Sequence, residues 1–368
     1  MILMNDFRAE PPALREAMAA AAHRVISSGW YVLGQEVEAF ERLWAQRCSA
    51  MRCVGVGNGM DAIELSLRAA GIGAGDEVIT TPMTAFATVL AILRAGATPV
   101  LADIQEGTGL LDPDSVERCV SSQTRALVLV HLYGQVRDMD KWLALCRRHG
   151  LQLIEDCAQA HLARWNGRTA GTFGLLGAYS FYPTKNLGAL GDAGAVVTDS
   201  MELADRISRL RNYGQSERYI HPELGMNSRL DELQAALLSE RMRWLDEFTL
   251  RRRAIAARYM AALREDIVAL PPQPQSEEAH VHHLFVVRTP RREALQAHLK
   301  ERGVQSLIHY PVPVHRQKPC EHLRRDPLGL TGTEVHAREC LSLPCHPQMS
   351  DAQVAAVIDA VNSFQYAG

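Results

Sequence analysis

Apolar positions along this chain follow two periods, one near 3.6 and one of 2, and segments of each kind succeed one another. Pro11 to Ile26 is an Ala-rich helical stretch stopped by Ser27-Ser28-Gly29, and Val37, Phe40, Leu43 and Trp44 predict an amphipathic helix over Glu36–Cys48. Between them GWYVLG is an aromatic loop, apolar enough to pack against something. Alternation then becomes regular. Strands are expected at Cys53–Val56, in GDEVITTP, at Pro99–Asp103, at Ala126–Tyr133 and at Leu151–Glu155. Helices are expected at Asp61–Ala70, Thr84–Ala95, Pro113–Val120 and Met139–His149, with a further helix start after Glu155. ALVLVHLY is almost unbroken in its hydrophobicity, which fits a strand buried on both faces. The βαβα rhythm predicts a doubly wound, parallel sheet, and in such sheets ligands bind beyond the carboxyl ends of the strands. GAVVT, at 194–198, reads as a further short buried strand.

From Met201 to about Leu263 the pattern is mostly helical, with Leu230, Leu233, Leu237, Trp244, Leu245 and Phe248 marking one long amphipathic helix. The Pro-rich PPQPQSEE at 271–278 is a polar joint. After it, strands at His283–Thr289 and Gln305–Pro311 and helices at Arg291–Arg302 and Ala352–Phe364 predict a smaller α+β unit. Two domains are expected, 1–250 and 251–368. A chain of 368 residues is long enough for both to bury a core.

Composition narrows the classes. A net charge of −3 gives no footprint for nucleic acid or an anionic membrane, and the Arg251–Arg253 cluster reads as the solvated face of a helix. No run reaches membrane length, and Asn5, Asp6, Arg8 and Glu10 stand where a signal peptide would need an apolar core. Eight cysteines show neither a CxxC pair nor zinc-finger spacing with histidine, so they read as free thiols of a reducing cytoplasm, and no metal site is expected.

Three stretches could carry chemistry. In AYSFYPTKNLGALGDAGAVVT (178–198), Lys185 lies among small, apolar and aromatic residues, and poor solvation lowers a lysine towards the neutral amine that attacks carbonyls. The same stretch also reads as a surface lysine on a Gly-rich turn. In VGVGNGMDA (54–62), glycines between a strand and a helix suit close backbone approach to a phosphate; a plain tight turn is the alternative. A dinucleotide fingerprint fails there, because Met60 stands three after Gly57, and no Walker lysine follows. In LIEDCAQAH (153–161), Asp156 ends an apolar strand, although Asp156 and Gln159 also have the spacing of a capping box. Lysine, carboxylate and anion cradle together are what a pyridine cofactor that forms a Schiff base needs.

With these and with GIGAGDEVI, VHLYGQ, GMNSRLDELQAA, HYPVPVH and LSLPCHP in that order, the chain resembles the DegT/DnrJ/EryC1/StrS aminotransferases over essentially its whole length. The resemblance implies an aspartate aminotransferase-like α/β fold (PLP fold type I). This has a large domain, whose mostly parallel seven-stranded sheet is sandwiched by helices, and a smaller C-terminal α+β domain. It implies pyridoxal 5′-phosphate as cofactor, with Lys185 as Schiff-base lysine and proton-transfer base, Asp156 on the ring nitrogen and Gln159 near the ring hydroxyl. The phosphate would sit on Gly59, Met60 and Ser180, with Asn227 reaching it from the other subunit of a homodimer; a helix cap is the local alternative for Asn227. Phe86 is the candidate for stacking on the ring, displaced by one residue because Ala85 occupies the usual aromatic position. Two further departures are Met60, where a hydroxyl is usual, and Leu162, where glycine is. Tyr31, Arg229, His309 and Tyr310 are candidate substrate contacts. The implied reaction moves an amino group from an amino acid, L-glutamate by expectation, to a keto group of a nucleotide-linked (dTDP) 6-deoxy sugar. Similarity leans to C-3, with products feeding glycan or O-antigen pathways. The alternatives are a C-4 keto-sugar aminotransferase, a related sugar dehydratase (those members carry histidine at the Lys185 position) and, in another class, a Rossmann-type oxidoreductase or epimerase.

Overall fold

The structure is a computed structural model in which residues 1–365 are described; residues 366–368, the end of the second expected domain, lie outside the described residues. Seven strands form the main sheet: β1 (Arg52–Val56), β2 (Glu77–Thr80), β3 (Thr98–Leu101), β4 (Thr124–Val130), β5 (Gln152–Asp156), β8 (Leu176–Ser180) and β9 (Gly194–Thr198), in the order β1-β9-β8-β5-β4-β2-β3. Strands β3, β2, β4, β5 and β8 run parallel, and β9 is antiparallel to both its neighbours. A small hairpin, β6 (Arg164–Trp165) and β7 (Arg168–Thr169), lies between β5 and β8.

Helices cover both faces, and the strands show why their sequences are apolar throughout. Cys53, Ile79, Leu127, Leu129, Leu153 and Val197 point to the side of α2 (Gln35–Cys48) and α6 (Met139–His149), with Phe40, Trp44 and Trp142. Their neighbours Val54, Val78, Ala126, Val128, Ile154 and Val196 point to the other side, against Ile63 and Leu67 of α3 (Gly59–Ala69), Ile92 of α4 (Phe86–Arg94) and Ile207 of α7 (Met201–Leu210). Each fully buried Val, Leu or Ile contributes about 1.5–3 kcal/mol, so a two-faced strand needs an unbroken run. Helix α1 (Pro12–Ser28) packs through Leu14 and Met18 on Leu237 and Phe248, and α5 (Pro113–Cys119) lies beyond β3.

The second layer of organisation is a two-stranded antiparallel sheet, β10 (Phe285–Arg288) with β11 (Cys340–Leu343), flanked by α10 (Arg292–Glu301), α11 (Thr331–Glu339) and α12 (Asp351–Asn362). Two connections join it to the large sheet. Helix α9 (Leu245–Ala262) places Leu245 in the large core and Ile255, Ala256 and Tyr259 in the small one, so the expected 250/251 boundary falls inside a shared helix. Ile2 pairs with Val304, which brings the N-terminus to the small unit.

Several expectations need correction. Strand β4 stops at Val130: Leu132–Gly134 is a 3-10 turn in which Tyr133 takes φ 62°. No helix starts after β5; residues beyond Asp156 form turns, and Asp156 Oδ1 accepts from the Ala158 N–H two residues on rather than capping a helix. The long helix is two, α8 (Glu232–Met242) and α9, because Arg243 and Trp244 bond back three residues instead of four and bend the chain. Gln305–Pro311 is irregular, its backbone pairing with β11 limited to the isolated bridge between Leu307 and Ser342. Arg252 is buried, not solvated: its Nη1 donates to the carbonyls of His282, His283 and Cys345, tying α9 to the flanks of both small strands. The loop GWYVLG is docked by its backbone on Asp231 and Glu232, but its Trp30 and Tyr31 side chains stay 61% and 56% exposed.

Candidate active site

Five elements end at one place. Strand β5 delivers Asp156, β8 delivers Ser180, the loop 181–193 between β8 and β9 carries Lys185, and α3 and α4 begin close to these strand ends. Gly59, the first residue of α3, has no room for a side chain: a Cβ there would lie 2.4 Å from Ser180 Cβ. Gly194 is held in the same way, with a Cβ 2.4 Å from the Asn58 carbonyl. Asn58 caps α3 by accepting from the Asp61 N–H at 2.9 Å, and the Ser228 hydroxyl accepts from the Gly57 N–H at 2.9 Å. The N–H groups of Gly59 and Met60 remain without an acceptor among the described residues, beside the Ser180 hydroxyl. Free donors at the positive end of a helix bind an anion, and the Met60 side chain packs into the core, leaving its backbone N–H as its donor.

Asp156 is 6% exposed and its two oxygens are separately held. Oδ2 accepts from Thr88 Oγ1 at 2.8 Å, and Oδ1 from the Ala158 N–H at 3.1 Å. Lys185 keeps a partly open side chain, but protein surrounds it closely enough for burial to lower its ammonium to about 8, with the Asp156 charge opposing. The neutral amine is therefore a minor form near neutral pH, but far more accessible than in an ordinary lysine. Around it lie His161, His283 and His309, whose imidazoles are pushed down by burial and by the Lys185 charge, His309 to about 4. They stay neutral beside the lysine.

Gln159 is oriented by its partners. Its Oε1 accepts from the Tyr133 N–H at 2.6 Å, so its Nε2 donates to the Tyr310 hydroxyl at 3.2 Å. Tyr133 reaches the same segment from the other side, donating its hydroxyl to the His309 carbonyl at 2.5 Å. His309 Nδ1 pairs with Ser342 Oγ at 2.8 Å.

Lys185, Asp156, Gln159, Ser180, Gly59, Met60, His309 and Tyr310 thus surround one space. The other candidates stand apart from it within this chain. Phe86 packs against the cluster of Val89, Leu101 and Val314. Arg229 stacks over Tyr213, 5.4 Å from its centroid, and donates to Asn212 Oδ1 at 3.2 Å. Asn227 is exposed on the same loop, and Tyr31 is exposed near it, its carbonyl taking the Glu232 N–H.

Sequence reasoning missed Thr88, Tyr133, Asn186 and His283. Thr88 lies four residues after Thr84, one helical turn away, which is a local signal. His283 Nδ1 meets Asn186 Oδ1 at 3.1 Å across a separation that no local pattern encodes. His131, Glu155 and Cys157 also bring ligand atoms within 4.8 Å of one another, but the Glu155 carboxylate already accepts from His131 and from the N–H groups of Gly171, Phe173 and Gly174. That cluster pins the turn after β7.

A buried carboxylate at a strand end, a desolvated lysine and an anion cradle fit pyridoxal phosphate, and the comparisons with known proteins agree. Residues 12–362 match the DegT/DnrJ/EryC1/StrS aminotransferase family. The chain belongs to that family. Among its relatives, the dTDP-3-amino-3,4,6-trideoxy-alpha-D-glucose transaminase of Streptomyces venezuelae is 47% identical over 98% of this chain and 95% of its own. The dTDP-3-amino-3,6-dideoxy-alpha-D-galactopyranose transaminase of Aneurinibacillus thermoaerophilus is 45% identical, with 100% of both chains covered. The crystal structure of S. venezuelae DesV in complex with a ketimine intermediate superposes with a TM-score of 0.94 at 46% identity, covering 98% of this chain and 97% of that one. The protein is a pyridoxal phosphate-dependent aminotransferase with the fold expected from its motifs.

Proposed function

We propose that this aminotransferase moves an amino group from L-glutamate to the C-3 keto group of a dTDP-linked 6-deoxy sugar, serving glycan or O-antigen sugar biosynthesis in the cytoplasm. The observation that carries the reading is that two relatives matching nearly the full chain are both named for a dTDP sugar aminated at position 3. Bound pyridoxal phosphate supplies an aldehyde and a ring that takes up the electron pair released when an α-proton leaves. The residues do the rest. Asp156 would hold the ring nitrogen, Gln159 would face the ring hydroxyl, and the Gly59 and Met60 N–H groups with Ser180 Oγ would take the phosphate. Lys185 would hold the cofactor through its amine and would be the group that carries the moving proton. Phe86, packed on Val89, Leu101 and Val314, would back α4 behind the cofactor pocket rather than stack on the ring; Tyr31, Arg229, His309 and Tyr310 would contact the substrates.

The active unit is a homodimer in which Asn227 reaches the partner's phosphate site. Its support is a set of exposed apolar residues: Trp30, Tyr31, Val32, Tyr182, Leu190 and Tyr213. The loops that carry them are linked, since Val32 pairs with Asp231 and Leu190 N–H donates to Gln234 Oε1. A second copy would cover them. Incubation with glutamate and matched dTDP-3-keto and dTDP-4-keto 6-deoxy sugars, read by mass, tests the substrate. Amination of the 3-keto sugar at least about tenfold faster is expected; preference for the 4-keto sugar refutes the assignment of position.

A further inference from the structure

The hydroxyls of Thr84 and Thr88 lie 2.9 Å apart, and Thr88 Oγ1 lies 2.8 Å from Asp156 Oδ2. All three residues are at least nine-tenths buried, at 4%, 1% and 6% exposed. Burial makes the direction of this chain decidable. An ionised carboxylate accepts only, so the Thr88 proton points at Asp156. Thr88 then has no proton left for Thr84, and the Thr84 hydroxyl must donate to Thr88 Oγ1. The result is a one-way series, Thr84 to Thr88 to Asp156, in which each bond polarises the next. Thr88 sits in the first turn of α4, so the positive end of that helix reinforces the same carboxylate. The remaining oxygen is committed to the Ala158 N–H, which fixes rotation of the carboxyl group.

We propose that Thr88 and Thr84 are positioning residues of this active site, a two-hydroxyl relay that holds the Asp156 carboxylate oriented toward the ring nitrogen of the cofactor. The inference rests on the reading of Asp156 as the ring-nitrogen partner. It extends that reading to two side chains that reach the site through Asp156. A serine at 88 would keep the hydroxyl and lose only a methyl group; a valine would keep the shape and lose the donor.

The experiment is titration of the cofactor-free full chain with pyridoxal phosphate at pH 6, 7 and 8, following the visible band and protein fluorescence to give Kd. Thr88→Val should weaken binding about tenfold, Thr84→Val about two- to threefold, and Thr88→Ser should stay near wild type. If Thr88→Val binds like wild type at all three pH values, or if Thr88→Ser is as weak as Thr88→Val, the relay is refuted. Should Thr88→Val fail to fold, the ordering of Thr84→Val and Thr88→Ser decides in its place: an unaffected Thr84→Val overturns the relay. Wild type and Asp156→Asn are run alongside. Failure of wild type to bind, or wild-type binding by Asp156→Asn, would sink the reading of the site itself, a result distinct from failure of the relay alone.

Discussion

Lys185 shows how one residue's surroundings convert an ordinary side chain into a reagent. Its ammonium is held to about 8 against an ordinary value of 10.5, chiefly by burial, with the Asp156 charge pulling the other way. The sign of the linkage follows. Below about pH 8 both folded and unfolded chains carry the proton, and the cost of a poorly solvated charge is fully present. Between about 8 and 10.5 the unfolded chain holds more protons, so rising pH relieves that cost and stability increases. Replacing the amine by an apolar chain of similar length should therefore help the fold. Lys185→Met is expected to raise the melting temperature of the cofactor-free protein at pH 7 by about 2 °C, after allowing for solvent at the open side of the lysine. The gain should shrink by pH 10, as thermal unfolding at the two pH values would reveal; a gain that stays constant would place the lysine in ordinary solvent. The desolvation was legible beforehand, because small and aromatic neighbours flank Lys185 in sequence. The three neutral histidines around it were not, since they arrive from residues 161, 283 and 309.

At the level of elements, the site depends on how closely α3 is laid against the end of β8. Gly59 is the contact point. Its substitution cannot be absorbed by a flexible side chain, because the 2.4 Å neighbour is Ser180 Cβ and the next, at 3.0 Å, is Ser180 Cα. Gly59→Ala should cost about 1–3 kcal/mol of stability as the helix is pushed from the strand. It should also weaken binding of pyridoxal phosphate about tenfold or more, because the two free N–H groups move with the helix. Unchanged affinity in a folded Gly59→Ala protein would remove α3 from the phosphate site. The alternation of strands and helices in the large domain was readable because two-faced burial demands continuous apolar runs. The misread elements share a different cause. Strand β4 was extended into HLY because Leu132 and Tyr133 are buried as well, by turn and small-domain contacts rather than by the sheet. One helix was expected where α8 and α9 meet because the apolar spacing continues across the bend. The segment 305–311 looked like a strand for its Ile and Tyr, yet those residues pack toward the domain junction while β11 takes the pairing with β10.

For the molecule as a whole, the exposed aromatic loops and the stranded position of Asn227 make sense together in a dimer that shares residues between sites. Subunit mixing tests this without a crystal. Lys185→Ala and Asn227→Ala proteins, each nearly inactive alone, should regain about a quarter of wild-type activity after denaturation and joint refolding, because half the dimers are hybrid and one site in each hybrid is intact. No recovery beyond the separate controls would confine Asn227 to its own subunit. Family and cofactor were legible from ordered motifs spread over the chain. The proposed dimer was implied beforehand by the family resemblance through Asn227; among the residues themselves, GWYVLG pointed to it by its hydrophobicity.

The most direct measurement is the visible spectrum of the purified protein with pyridoxal phosphate, before and after L-glutamate. The expected result is a band that forms with wild type, is lost in Lys185→Ala, and gives way to the amine form of the cofactor when glutamate is added. A wild-type protein that forms no band, or a band that persists unchanged in Lys185→Ala, would contradict the assignment of this lysine and of the site built around it.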